Sequence, residues 1–192
     1  KELIVHEVFG HALRSAVAEQ HGLEFGQHGT ASYTRFEEAF MMALEQCLNE
    51  TYDQHRGSEH YIATGLSITE SLSKEAIAEM LYKMARLKNI SEDKESPEEK
   101  AHITAKALIR RTFAGMMDVG DGIAHRKDID YYHGLNDAWS FLNYITEHDV
   151  VDEGMRWILS AKFNPMVASD RDYVNTSVPM PRTLNDLFDE AV

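Results

Sequence analysis

Apolar residues recur every three to four positions through almost the whole of this 192-residue chain. That period matches one face of a helix and leaves little room for alternating strands. Residues 2–20 carry Leu3, Ile4, Phe9, Leu13 and Val17 at this spacing, and glycines 22, 26 and 29 then break the chain into the loop GLEFGQHGTAS. The spacing predicts a second helix over about 33–55, with Phe36, Phe40, Ala43, Leu44 and Leu48 facing inward. A short helical segment is expected over 61–66 and an amphipathic helix over 73–88, through Ile77, Met80, Leu81, Met84 and Leu87. After the polar connector SEDKESPEEK, Pro97 and two glutamates mark a helix start running to about residue 113. Helices over 128–147 and 152–161 follow. The tail from Asn164 holds three of the four prolines and is expected to be irregular, with a last helical turn near 184–188. Glu24–Phe25 and the tail are the only places where a short strand suggests itself. The fold class expected is a mainly helical single domain spanning residues 1–192.

Composition narrows the function. Charged residues make up 27% and hydrophobic ones 43%, ordinary for a soluble globular domain. No apolar run reaches the ~18–20 residues that span a bilayer. The net charge of −13 argues against nucleic acid or an anionic membrane as partner, since phosphate contacts need clustered Lys and Arg. Cys47 is the only cysteine, so no intrachain disulfide forms; a small buried hydrophobe in a reducing, cytoplasmic setting is expected. The opening KELIVHEVFGH meets charge at once, unlike a signal peptide. A loaded motif so near the first residue would lack a covering wall, so a fragment missing its N-terminal portion is expected.

That motif is His6-Glu7-Val8-Phe9-Gly10-His11. In zincin sequences two histidines sit four apart on one helical face, and the glutamate between them works on the attacking water. Here they are five apart. Regular α-helix would set the imidazoles about 140° apart, too far round for one metal. A π-type turn brings them within roughly 50°, and such turns favour functional sites. A distorted first helix is therefore a condition of the reading, with Gly10 available to relieve crowding. A third ligand is expected from Glu37 or Glu38, which a short loop can bring back toward the histidines; a carboxylate is a normal partner for two imidazoles around Zn2+. Phe36 and Phe40 flank the pair, so one of the two should lean toward the core.

These residues resemble a known family. HEVFGHALR is similar to the HEIGTHxLR segment of the tyrosine carboxypeptidase (MATCAP) family of HExxxH zinc metallopeptidases, whose bacterial members carry a QEGLA motif. Glu37-Glu38-Ala39-Phe40 falls where that family has EEGLA or QEGLA, Arg111 to Gly115 resembles its RxxRG with Ala114 for the arginine, and Lys127 to Gly134 matches KDxxYxxG. Order and approximate spacing hold from residue 3 to about residue 165. The resemblance implies a zinc metallopeptidase of carboxypeptidase type, with a peptide or protein C-terminus as substrate. It implies His6, His11 and Glu38 as metal ligands, Glu37 standing behind them. The departures, Phe9-Gly10 for Gly-Thr and Ala39-Phe40-Met41 for Gly-Leu-Ala, fall around the ligands and bear on substrate preference. In this reading Glu7 is the general base and Tyr131 or His133 the oxyanion donor. Arg111, Lys127 or Arg126 would bind the substrate carboxylate, although each could instead serve a structural ion pair. The other readings are a helical binding module without catalysis, holding a structural metal or none, and a zinc hydrolase acting on a non-peptide amide.

Overall fold

The computed structural model describes residues 3–53, 55–113, 124 and 127–189. They are mainly helical, as the apolar period predicts, and no strand occurs among them. A π-helix, Ile4–Ala12, runs without a break into α1, Leu13–Gln20. It is followed by α2 (Glu24–His28), α3 (Tyr33–Leu48), α4 (Ser58–Thr69), α5 (Lys74–Ser91), α6 (Pro97–Thr112) and α7 (Lys127–Glu147). After α8 (Val151–Ile158) and α9 (Ala168–Asn175), a short 3-10 turn, Arg182–Leu184, leads into α10 (Asn185–Asp189). Glu24 and Phe25, a possible strand in the sequence, instead open α2. The tail is less irregular than expected, since α9 occupies its middle. α3 stops seven residues short of the expected end, where Glu50 turns the backbone to a φ of 53°. Among the described residues no helix is long and apolar enough to cross a membrane.

The chain forms two compact units, residues 1–54 with 133–192, and residues 55–132. The core of the first is aromatic. Phe36 and Phe40 stack at 5.4 Å on α3, Phe40 meets Phe141 of α7 edge-on at 6.3 Å, and Trp157 packs on Phe163 at 5.0 Å. Gly134 lets α7 lie against the backbone of α3: a Cβ there would fall 2.0 Å from the Arg35 carbonyl oxygen. The Arg35 guanidinium donates to Asp137 Oδ2 at 2.8 and 3.1 Å and fixes the same crossing.

In the second unit α4, α5 and α6 enclose Ala63, Ile77, Leu81 and Ala105. Pro97 at the first turn of α6, with Glu98 and Glu99 behind it, starts that helix as the sequence predicts. Ser73 caps α5 by accepting from the Ala76 N–H at 3.2 Å. Some expected core positions lie outside the core. Leu48, the last residue of α3, and Leu87 are exposed, and Cys47, expected buried, is exposed as well.

Candidate metal centre

The first helix departs from α geometry where the histidine spacing requires it. The π-turn brings the rings of His6 and His11 to 5.2 Å between centroids, at 67° to each other. The wider turn also changes which residues face inward. Leu3, Ile4 and Phe9, expected on the apolar face, are exposed, and the buried line runs through Gly10, Arg14 and Ala18. Gly10 has a different role from the expected relief of local crowding. A Cβ there would lie 2.0 Å from Met41 Sδ, so the glycine lets the π-helix close on α3.

α3 supplies the facing carboxylates. Glu38 sits opposite both imidazoles, its two oxygens 3.7 Å from His6 Nε2 and 3.8 Å from His11 Nε2. One ligand atom from each of the three residues lies within 4.8 Å of the others, and no other trio of His, Cys, Asp or Glu among the described residues does this. Bonds of ~2.0–2.1 Å to a tetrahedral Zn2+ require donor separations of about 3.3 Å, so the three side chains would have to draw closer together around an ion. All three side chains are partly exposed, at 21%, 25% and 29%, which leaves an approach from solvent.

The outer nitrogen of each imidazole has its own carboxylate. His11 Nδ1 lies 2.5 Å from Glu37 Oε1, and His6 Nδ1 lies 2.9 Å from Glu45 Oε1. A carboxylate only accepts, so both contacts call for the proton on Nδ1, and in a neutral ring Nε2 is then the atom with a lone pair for a metal. This is the carboxylate–histidine pattern that orients metal ligands. Glu37 is the member of the pair that leans into the core, with Arg14 Nη1 at 4.0 Å and Lys162 Nζ at 3.6 Å. Arg14 is itself fully buried and donates to the carbonyls of Ala161 at 2.9 Å and Phe163 at 3.3 Å. Desolvation lowers its pKa to about 10, although the charge of Glu37 works the other way.

Glu7 follows His6 on the π-turn and is exposed. His133 belongs to the same unit and is half-buried. Arg111, Lys127 and Tyr131 belong to the second unit. There Arg111 donates from Nε at 2.9 Å and Nη2 at 2.6 Å to Asp128 Oδ1, a hydrogen bond that raises its pKa further. Lys127 Nζ stands 4.8 Å from the centre of the Tyr131 ring. His60 Nδ1, buried and without a hydrogen-bond partner among the described residues, faces Asp128 Oδ2 at 3.8 Å. Burial lowers the His60 pKa, with Asp128 opposing. Arg126, Ala114 and Gly115 lie outside the described residues.

The residues brought together are thus His6, His11, Glu38 and, behind them, Glu37. Glu45, Arg14 and Lys162 were missed from the sequence. For Glu45 a signal existed, since it stands seven residues after Glu38, two turns along the same helical face. Comparison with protein-family models, with curated proteins and with solved structures finds no match for this chain.

Proposed function

We propose that this chain carries the centre of a zinc-dependent peptidase, of carboxypeptidase type, acting on the C-terminus of a peptide or protein. The observation that supports it is that one donor atom each of His6, His11 and Glu38 lies within 4.8 Å of the others, with both imidazoles held from behind by Glu45 and Glu37. Two imidazoles and one carboxylate form a three-ligand set of the kind that catalytic Zn2+ sites use, with a coordination position left over. When bound, Zn2+ would supply a Lewis acid for the scissile carbonyl and lower the pKa of water to near 7. Glu7, exposed beside His6, takes the proton of the attacking water and delivers it to the leaving amine. The carboxypeptidase type, the oxyanion donor at Tyr131 or His133 and the carboxylate-binding cation at Arg111, Lys127 or Arg126 rest on the sequence and the family resemblance alone.

The test is metal analysis together with Glu7→Gln. The wild type should bind one Zn2+ per chain and cleave peptides with a free C-terminus while rejecting amidated ones. Glu7→Gln should keep the metal and lose at least about 10²-fold in turnover. Protein that neither holds Zn2+ nor gains activity from it would end the metal reading. Unchanged turnover in Glu7→Gln would instead end the role of Glu7, and cleavage of amidated peptides would end the exopeptidase assignment.

A further inference from the structure

The site has a second layer that divides into two unlike halves. Behind His11, Glu37 is fully buried and flanked by the cations Arg14 and Lys162, so its charge is largely balanced within the protein. Behind His6, Glu45 is 18% exposed, and no lysine or arginine among the described residues lies within ion-pair distance of it. Its Oε1 is 2.9 Å from His6 Nδ1. The two carboxylates on α3 therefore grip opposite edges of one ring, Glu45 at Nδ1 and Glu38 at 3.7 Å from Nε2.

From this geometry we infer that Glu45 is a positioning residue for the metal centre. It fixes His6 in the tautomer with the proton on Nδ1 and aims the Nε2 lone pair at the point shared with His11 and Glu38. A neutral imidazole offers its lone pair on whichever nitrogen lacks the proton, and an acceptor at the outer nitrogen decides which one that is. Outer partners of this kind hold metal affinity up by 10–100-fold in other sites. The inference rests on the metal reading above, and the two fail in different ways.

The experiment measures Zn2+ affinity of the full chain by competition with a chromophoric chelator and records the visible spectrum of the Co2+-loaded protein, for wild type, Glu45→Ala, Glu45→Asp and Glu45→Gln. Glu45→Ala removes the acceptor, and Glu45→Asp withdraws it by one methylene while keeping the charge. Both should bind Zn2+ about 10–100-fold more weakly and alter the Co2+ absorption. Glu45→Gln keeps an amide oxygen in reach of Nδ1–H and should recover affinity to within about threefold of wild type. If Glu45→Ala fails to fold, Glu45→Asp against Glu45→Gln carries the same comparison. A wild type that binds Zn2+ no better than the variants, yet tightly, overturns the role of Glu45 and leaves the metal centre standing. The same holds if Glu45→Gln loses as much as Glu45→Asp. A wild type that binds no Zn2+ overturns the metal centre and the role of Glu45 with it.

Discussion

The residue on which the most depends outside the proposed ligands is Arg14. A fully buried guanidinium is expensive to desolvate, and its lowered pKa is the direct expression of that cost. It is held because Glu37 shares its burial and because two carbonyls from the segment after α8 accept from it. Without Arg14 the buried Glu37 keeps Lys162 at 3.6 Å, but part of its charge is left stranded. Arg14→Met should destabilise the protein by about 3 kcal/mol, read from urea unfolding at constant m. Glu37→Gln in the same chain should restore part of the loss, because it removes the stranded charge. Simple additivity of the two substitutions would show that Arg14 and Glu37 do not form a coupled pair. Nothing in the sequence pointed to this pairing. Arg14 and Ala161 are 147 positions apart, and an arginine in a helix reads as a surface residue until its partners are known. His6 and His11 could be singled out because their signal is local, two rings five residues apart with an acid between them.

At the level of elements, periodicity carried most of the helices, and the five-residue spacing carried the π-turn, since no regular helix puts His6 and His11 on one side. The missed elements are α2, where a loop was expected, and α9. The second is the more telling. Its sequence ASDRDYVN has little apolar period, and it is held by Asp170, whose Oδ2 accepts from Thr30 Oγ1 at 2.5 Å, Ser32 Oγ at 2.9 Å and the Asn164 N–H at 3.0 Å. Two of those three partners are at least 138 positions away, so a local reading had nothing to work with. The motif glycine Gly134 is an element-scale requirement of the same kind. Alanine in a helix is intrinsically better than glycine by about 1 kcal/mol, yet at 134 its Cβ would run into the Arg35 carbonyl oxygen, a backbone atom that cannot swing aside. Overpacking of this sort costs ~1–3 kcal/mol, so Gly134→Ala should lower the melting temperature. Gly65→Ala in α4, where a Cβ meets nothing within 4 Å, should raise it. Equal effects from the two would mean that propensity, and not the α3–α7 contact, sets the role of Gly134.

For the whole molecule the decisive fact is that His6, His11, Glu38, Glu37 and Glu45 all belong to one unit, formed by residues 1–54 and 133–192. A cation that binds these groups in the folded chain and not in the unfolded one stabilises the fold by mass action, about 2.7 kcal/mol at a free concentration 100 times its Kd. The proposed ligands are drawn from two elements, the π-helix and α3, so the binding energy would fall on their packing. That packing includes the close approach of Gly10 to Met41. Arg14 ties α1 through Ala161 and Phe163 to the returning chain, which extends the effect to the C-terminal part of the same unit. Amide hydrogen exchange should therefore slow on adding Zn2+ in 4–20 and 33–48 most strongly and in 157–175 to a lesser degree. Chelator should reverse it, and Glu38→Ala should abolish it. Opening free energies in those segments should rise together, because stabilisation by a ligand reaches every group whose exchange requires the site to come apart. Protection confined to the few residues around His6 and His11 would show a metal held by a locally ordered turn, without the α3 face that the geometry assigns to it.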